Sequence, residues 1–506
     1  MKPVYFLGFL LPVALFIGCT SKNIIDHPTE SSFAFEFKVE NYNQYYEVNP
    51  EGRLFKSSQE ISITNVSDKH LSQINFSLHP KIIIDHLAIS NLDGKETSIK
   101  QWEKIGVRRT TRIWADTSIN EFPVYQIQTL ENIAPHQQLF FEIDYHLDPG
   151  FIRDYPKEMY ELTVSSKASY AVGPFTGHSP FFGKNIAAPF TISIKHLKDT
   201  QTCAPGNLIT SKQENNFVID IYECKYPNVP TFSCGEYQRI SRKSDTFRLE
   251  YYLYPDQQVT EGMIETTFRI IDLYTKTFGD NGTREYRFGT VGKPKSWNLG
   301  GENKGNAIFL TDFATRVYTS WLLNWSASFF TGGLSGKDIN FRLFSHELYH
   351  NWNLFYVHWS GKLYEWFEEG GANFIAAWAA ERVISIEAGA QVRKSFIKSF
   401  TENKGYEAGQ PLESVRKTGN AERSLMYNYG AIVWEQLRRK LGDEAFFTSL
   451  RELFREKGFK QATYEDLLAS FQARDDIDVE NFLSQWTTEN AKIKLTIGDV
   501  SIQKRG

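Results

Sequence analysis

The sequence predicts a multidomain α+β protein: an N-terminal antiparallel, β-sandwich-like domain, a mixed domain around a His-Glu-x-x-His helix, and a C-terminal α-helical domain. Three observations predict this. Apolar and polar residues alternate in short runs between residues 33 and 243, as in strands with one buried face. A His-Glu-Leu-Tyr-His motif occupies residues 346–350 and is followed by a second helical stretch, 366–380. Beyond residue 400, apolar residues recur at helical spacing.

The N-terminus has the features of an export signal. One early positive charge precedes the apolar stretch Val4–Gly18, which is short for a membrane-spanning helix. Phe16-Ile17-Gly18-Cys19 resembles a bacterial lipoprotein cleavage site, at which the cysteine is lipidated and becomes the first residue. We therefore expect a signal peptide at 1–18, a lipid anchor on Cys19 that holds the protein in the cell envelope on the periplasmic or outer-surface side, and a tether at 19–32. The alternative is an ordinary cleaved signal, with Cys19 lost.

Length, composition and charge narrow the class of protein. A chain of 506 residues is too long for one core and predicts two to four domains. A net charge of −4 provides no basic surface for nucleic acid, and 41% hydrophobic residues indicate a packed globular protein. Three cysteines follow Cys19, and either Cys203–Cys224 or Cys224–Cys234 could form a disulfide in an oxidising compartment.

The predicted N-terminal β domain spans residues 33–243. Its alternating runs are separated by turn residues at a spacing that favours antiparallel strands. The runs are Phe33–Val39, Glu60–Thr64, Ile74–Leu78, Leu139–Tyr145, Phe190–Ile194 and Phe217–Ile221.

The motif at residues 346–350 predicts a metal site. On a helix, positions i and i+4 share one face, so His346 and His350 can present two imidazoles to one ion. Glu347 lies next to them and can act as a general base toward water without being a ligand. A catalytic zinc needs a third protein ligand and an open position, and Glu365, Glu368 and Glu369 are the carboxylates that the next helix offers. The sequence therefore predicts one Zn²⁺ per chain.

These motifs resemble a known family. His-Glu-x-x-His with eighteen residues before Glu369, Trp352 after the second histidine, and Trp366-x-x-Glu369-Gly370 resemble the aminopeptidase N family of gluzincin metallopeptidases. The run Ser345–Asn353 also resembles the glycyl aminopeptidase branch. The resemblance implies Glu369 as the third ligand, a thermolysin-like zinc catalytic domain at 244–400 and a helical domain at 401–506. It also implies removal of N-terminal residues from peptides.

The resemblance implies two further groups of site residues. The family's Gly-x-Met-Glu-Asn segment is similar to residues 299–303, although Leu299 and Gly301 replace its Gly and Met. It implies that the main chain of Gly300 and Gly301 pairs with the substrate and that Glu302 binds the free α-ammonium. The family's Tyr-x-Lys-Gly is similar to residues 427–430, which implies that the Tyr427 hydroxyl stabilises the oxyanion.

Several alternatives stay open at this point. Asn373, four residues after Glu369, is either a partner of a metal ligand or a capping residue. The aromatic segment 316–336 is a lid, a pocket wall or core. A zinc endopeptidase would not need Glu302, and an inactive peptide- or partner-binding scaffold would keep only the fold. Retention of the residues with chemical roles argues against the scaffold, whereas the sequence leaves the P1 preference and the oligomeric state open.

Overall fold

The computed structural model describes residues 33–97, 99–109, 121–156, 162–172, 176–183, 186–292, 301–312, 314–315, 336–402, 411–414, 424–472 and 477–488. The chain forms two compact units, Met1–Ala34 and Phe35–Gly506, and every element below belongs to the second. The predicted signal peptide, Cys19 and the tether lie outside the described residues, as do Gly300 and most of the aromatic segment.

The described residues of the N-terminal half form thirteen strands. They are β1 Phe37–Asn49, β2 Leu54–Asn65, β3 Leu71–Ser77, β4 Ile82–Asn91, β5 Ile99–Arg109, β6 Glu121–Ile133, β7 Gln138–Leu147, β8 Ala168–Ala171, β9 Ala188–Leu197, β10 Gln201–Cys203, β11 Asn207–Glu214, β12 Phe217–Asn228 and β13 Phe232–Gly235.

In the described part of the chain, these strands form three sheets. A seven-stranded sheet has the order β11-β12-β9-β1-β2-β7-β4, and two smaller sheets have the orders β3-β6-β5 and β10-β13-β8. Phe76 of β3 meets Phe141 of β7 edge-on, with ring centroids 5.1 Å apart, so the sheets pack face to face. The predicted antiparallel arrangement needs one correction, because β1 and β9 pair in parallel. A parallel pair needs a long crossover, and here about 140 residues separate the two strands.

A five-stranded sheet in the central part of the chain supports the His-Glu-x-x-His helix. Its strands are β14 Gln238–Lys243, β15 Arg248–Leu253, β16 Glu285–Val291, β17 Gly301–Lys304 and β18 Ala307–Thr311. Their order is β14-β15-β16-β18-β17, so β17 is an edge strand and pairs antiparallel with β18. β14 pairs with β15, so this sheet crosses the boundary that the sequence places between residues 243 and 244.

The helices surround one face of this sheet and fill the C-terminal half. The α-helices are α1 Glu261–Phe278, α2 Gly336–His350, α3 Gly371–Val383, α4 Ile386–Glu402, α5 Gly430–Leu441, α6 Asp443–Lys457, α7 Tyr464–Gln472 and α8 Val479–Thr487. Three π-helical turns precede or follow them: π1 Asn351–Tyr356, π2 Trp366–Gly370 and π3 Ser424–Tyr429. A short parallel pair, β19 Val357–Trp359 and β20 Lys460–Ala462, joins the end of π1 to the C-terminal helices.

This arrangement of a β-rich N-terminal half, a mixed centre and a helical C-terminal half confirms the predicted α+β fold class. Among the described residues, no helix has the length and apolarity needed to cross a membrane. Cys203, Cys224 and Cys234 are buried free thiols, so neither possible disulfide forms.

Candidate metal centre

Helix α2 holds the two histidines because its other face is anchored in the core. Leu348 is buried, and Tyr349 packs against Tyr274 and Phe278 of α1, with ring centroids 5.7 and 5.0 Å away. The hydroxyl of Tyr274 donates to the main-chain oxygen of Ser345 at 3.0 Å. With that side fixed, positions 346 and 350 fall together on the opposite side, as their spacing predicts.

Three side chains converge at one point. Nε2 of His346 and Nε2 of His350 lie 3.1 Å apart, and Oε2 of Glu369 lies 3.3 Å from the first and 3.6 Å from the second. Among the described residues, these are the three histidine, cysteine or acidic side chains that could share an ion, and their ligand atoms lie within 4.8 Å of one another. Glu365 and Glu368, the competing carboxylates, do not belong to this group.

Two asparagines determine which nitrogen of each ring carries hydrogen. Oδ1 of Asn373 lies 3.1 Å from Nδ1 of His346, and Oδ1 of Asn353 lies 3.1 Å from Nδ1 of His350. The amide nitrogens donate elsewhere, to the Tyr427 and Glu368 main-chain oxygens at 3.0 and 2.8 Å. An amide oxygen only accepts, so each Nδ1 carries the hydrogen and each Nε2 presents a lone pair to the centre.

This geometry fits a zinc ion. Two lone pairs and a carboxylate oxygen face one another at 3.1–3.6 Å, although neither neutral ring has a hydrogen to donate to the other. A cation between them removes that repulsion. Two imidazole nitrogens and one carboxylate oxygen form the ligand set of many catalytic zinc sites, in which a fourth position stays open.

Electrostatics of the pocket also favour a cation. Burial lowers the pKa of His346 and keeps the ring in its neutral, ligating form. Burial acts in the same direction on His350, but the Glu369 carboxylate outweighs it and raises the pKa of that ring. The carboxylate therefore favours a positive charge at this position.

Each π-helical turn lies next to a site residue. π1 begins directly after His350, π2 contains Glu369, and π3 contains Tyr427. The amide of Asn353 in π1 donates to the main-chain oxygens of Phe367 and Glu368 in π2 at 3.0 and 2.8 Å. π-Helical turns are frequent at functional sites, and here they re-aim side chains at the ends of regular helices.

Glu347 is 6% exposed and lies beside the metal ligands without joining them. Burial raises the pKa of its carboxyl to about 7, and although His350 lowers it, the charges of Glu369 and Glu302 add to the rise. Gly301 of β17 leaves room for this side chain, because a Cβ there would lie 3.0 Å from the Glu347 Oε1 and Cγ atoms. Asn303 donates from its amide to the Glu347 main-chain oxygen at 2.6 Å. The edge strand therefore contacts the centre through Gly301 and Asn303.

Glu302 forms an ion pair with Lys304, its neighbour two residues along the edge strand. Its Oε1 lies 2.5 Å from Nζ of Lys304, and both side chains are largely buried. Its Oε2 is buried, and no group in the described part of the chain hydrogen-bonds it. One oxygen of this carboxylate is therefore neutralised within the strand, and the other is an acceptor that a ligand can use.

The two tyrosines at 427 and 429 have different environments. The Tyr427 ring lies nearly parallel to the His346 ring, at 11° with centroids 6.0 Å apart. The Tyr429 side chain is buried, and its hydroxyl donates to the Trp486 main-chain oxygen at 3.1 Å. Tyr427 therefore borders the metal centre, and Tyr429 belongs to the core.

Comparison with known proteins agrees with this geometry. Residues 334–486 match the family model of the peptidase family M1 domain. This segment, which contains the three metal-ligand candidates, is thus similar to that domain. Over 165 residues the chain is 29% identical to aminopeptidase M1 of Arabidopsis thaliana, a match that covers 30% of this chain and 18% of that protein. The aligned part is thus less than a fifth of the curated relative.

Solved M1 structures share the fold over most of the chain. An M1 zinc metallopeptidase from Deinococcus radiodurans superposes with a TM-score of 0.62 at 15% identity, covering 89% of this chain and 94% of that one. A mutant of that enzyme bound to a Tyr-Ser-Ala substrate gives 0.62 at 16% identity, covering 90% and 95%. The M1 family and these zinc metallopeptidases imply a zinc cofactor, which the donor set described above fits.

The sequence analysis does not identify two residues at or near the candidate site. Asn353 was not identified, although its position three residues after His350 places it on the same helical face. Lys304 was not identified either, although residues two apart on a strand share a face, as Glu302 and Lys304 do. Asn373 was left undecided, and its hydrogen bond to His346 makes it the partner of a ligand.

Proposed function

We propose that this protein is a zinc-dependent aminopeptidase that removes N-terminal residues from peptides. The observation that carries the proposal is the convergence of Nε2 of His346, Nε2 of His350 and Oε2 of Glu369 within 4.8 Å, next to a buried carboxylate that is not a ligand. The free acceptor on Glu302 supports the choice of an aminopeptidase over an endopeptidase. A related M1 enzyme has been crystallised with a Tyr-Ser-Ala substrate, a short peptide.

In this proposal, His346, His350 and Glu369 hold the zinc ion. Zinc, when bound, acts as a Lewis acid that polarises the scissile carbonyl and makes water more acidic. Glu347 accepts a proton from the attacking water and delivers it to the leaving amine. The Tyr427 hydroxyl is a neutral donor at pH 7 and hydrogen-bonds the carbonyl oxygen as negative charge develops on it. Glu302 Oε2 accepts a hydrogen bond from the substrate's α-ammonium.

The deciding experiment compares one peptide in free and N-acetylated forms. A charge-assisted contact to the α-ammonium is worth roughly 1.5–3 kcal/mol, so the wild-type protein should prefer the free form about 10- to 150-fold in kcat/KM. Glu302→Ala should lose most of that preference through the free peptide alone. Hydrolysis of both forms at equal rates would identify an endopeptidase, and no hydrolysis by zinc-loaded protein would favour the binding scaffold.

We further propose that a lipid on Cys19 anchors the enzyme in a bacterial cell envelope. The support is the sequence, an apolar stretch that ends in Phe16-Ile17-Gly18-Cys19. Cys19→Ala should abolish labelling by a radioactive fatty acid in producing cells and move the protein out of the membrane fraction. Membrane fractionation without any label in the wild-type protein would contradict the anchor.

A further inference from the structure

We infer that Lys304 makes this enzyme prefer substrates whose N-terminal residue is acidic. The inference deepens the proposed aminopeptidase function and depends on it, because it names the side chain that the amino-terminal subsite selects. It begins with the ion pair between Lys304 and Glu302, which lies on the edge strand β17.

The pair lies on the side of β17 that faces away from α2. Successive residues of a strand point to opposite faces, and Gly301 and Asn303 contact Glu347 of α2. Glu302 and Lys304 therefore share the other face. Their side chains are only 16% and 12% exposed, so solvent screens this pair weakly.

Both side chains of the pair have hydrogen-bonding capacity that the pair itself does not use. Oε2 of Glu302 is buried and has no partner among the described residues, and a buried acceptor of this kind is costly unless a ligand donates to it. An ammonium group has three donors, and within the described part of the chain Lys304 uses its Nζ on Glu302 alone. The subsite thus offers one free acceptor beside one positive charge with unused donors.

The net charge of this subsite then determines which N-terminal side chain of the substrate is favoured. The Glu302 and Lys304 charges cancel, so a substrate's α-ammonium on Oε2 leaves one net positive charge in a poorly solvated place. An Asp or Glu side chain at the N-terminal residue supplies the missing negative charge and can accept from Lys304 Nζ. A Lys or Arg side chain adds a further positive charge and is repelled.

The test uses aminocoumarin amides of Glu, Gln, Ala and Lys on the full-length zinc-loaded enzyme. Glu and Gln have the same shape, so their kcat/KM ratio isolates the charge. We expect Glu to exceed Gln by about 10- to 100-fold, as for a charge-assisted contact, and the Lys substrate to be the poorest.

Three variants assign that ratio to Lys304. Lys304→Met keeps the aliphatic stem without the charge, so the Glu/Gln ratio should fall to about 1 and the Lys substrate should gain relative to Gln. Lys304→Arg keeps a charge and should preserve most of the ratio. Lys212→Met, on an exposed residue of β11, is the matched control and should behave as wild type. Taking the ratio within each protein removes any loss common to all substrates.

Other outcomes are also decisive. If wild type cleaves the Ala substrate but Gln equals or exceeds Glu, the inference is overturned and the aminopeptidase assignment stands. A Glu/Gln ratio that persists in Lys304→Met would assign the selectivity to another residue and also overturn it. Failure to cleave any of the four amides would reject the aminopeptidase function itself, and the inference with it.

Discussion

At the scale of single residues, Glu347 is a buried carboxylate beside two histidines whose Nε2 atoms face the centre without hydrogen. Glu347→Gln keeps its shape but cannot accept a proton from water. Zinc content should therefore stay near one per chain while kcat falls by at least about 100-fold. Metal analysis and steady-state kinetics measure the two quantities, and turnover within a few-fold of wild type would show that another group is the base.

Tyr427 and Tyr429 form a natural pair for comparison. Tyr427→Phe removes a hydroxyl that should bind the oxyanion more tightly than the ground-state carbonyl, so kcat should fall by roughly 10²–10³ with little change in KM. Tyr429→Phe removes a hydroxyl that donates to the Trp486 main chain and should leave kcat within a few-fold. The reverse result would mean that the oxyanion partner is Tyr429.

Asn353 acts on the metal through His350 and through the turn that carries Glu369. Asn353→Ala removes the hydrogen bond to Nδ1 of His350 and two to main-chain oxygens of π2. Loss of such supporting contacts typically lowers metal affinity 10- to 100-fold. Asn373→Ala removes one bond to His346 and one to Tyr427, so its loss should be smaller. Competition with a chelator ranks the two variants, and wild-type affinity in Asn353→Ala would refute this role.

At the scale of elements, π2 approaches π3 and the start of α5, and a glycine lies on each side of this contact, Gly370 in π2 and Gly430 in α5. A Cβ on Gly370 would lie 2.8 Å from the Trp366 ring, 3.0 Å from the Met426 oxygen and 3.1 Å from the Gly430 carbonyl carbon. Gly370→Ala should therefore push the turn that carries Glu369, destabilise the fold by about 1–3 kcal/mol and weaken zinc binding. Thermal unfolding with and without chelator measures both effects. Gly262→Ala in α1, where a Cβ meets nothing within 4 Å, is the control and should not lower stability.

Regular elements were predictable from local pattern, whereas the π-helical turns were not. Apolar residues at helical spacing between Thr260 and Gly279 predict a helix, which forms as α1, Glu261–Phe278, and Thr260 caps it by accepting from the Met263 amide. The stretch 366–380 was expected to be one regular helix, but its first turn is π-helical. That turn depends on distant groups, namely the Asn353 amide and the Gly430 oxygen that accepts from Trp366. The periodicity of apolar residues cannot predict hydrogen bonds to groups so distant in the sequence.

At the scale of the whole molecule, Arg287 of β16 ties the N-terminal β region to the five-stranded sheet. Its guanidinium is 2% exposed, donates to the Ala204 and Gly206 oxygens, and pairs with Glu285 and Glu250. Arg287→Ala leaves Glu250 buried with less compensation, so the free energy of unfolding should fall by about 3–5 kcal/mol. Urea titration measures this. Arg242→Ala, which breaks an exposed pair with Glu261, should change stability little.

Contacts between residues far apart in the sequence are the part of the structure that the sequence did not predict. The spacing of His346 and His350 predicts two metal ligands, and family likeness supplies Glu369, Glu302 and Tyr427. The parallel pairing of β1 with β9, the Arg287 junction and the Glu302–Lys304 pair were not predicted. Each of these contacts depends on which strands pair or on how the sheets pack. The local alternation of apolar residues does not contain that information.

The three free cysteines have a practical consequence for studying the folded chain. Burial raises the pKa of Cys203, Cys224 and Cys234 to about 12, so almost no thiolate is present near neutral pH. All three lie within residues 203–234, and among the described residues no cysteine lies in the helical half. These three thiols can therefore report on unfolding of the β region. A thiol-reactive dye should react with them when that region opens, and should not react during motions confined to the metal-binding helices.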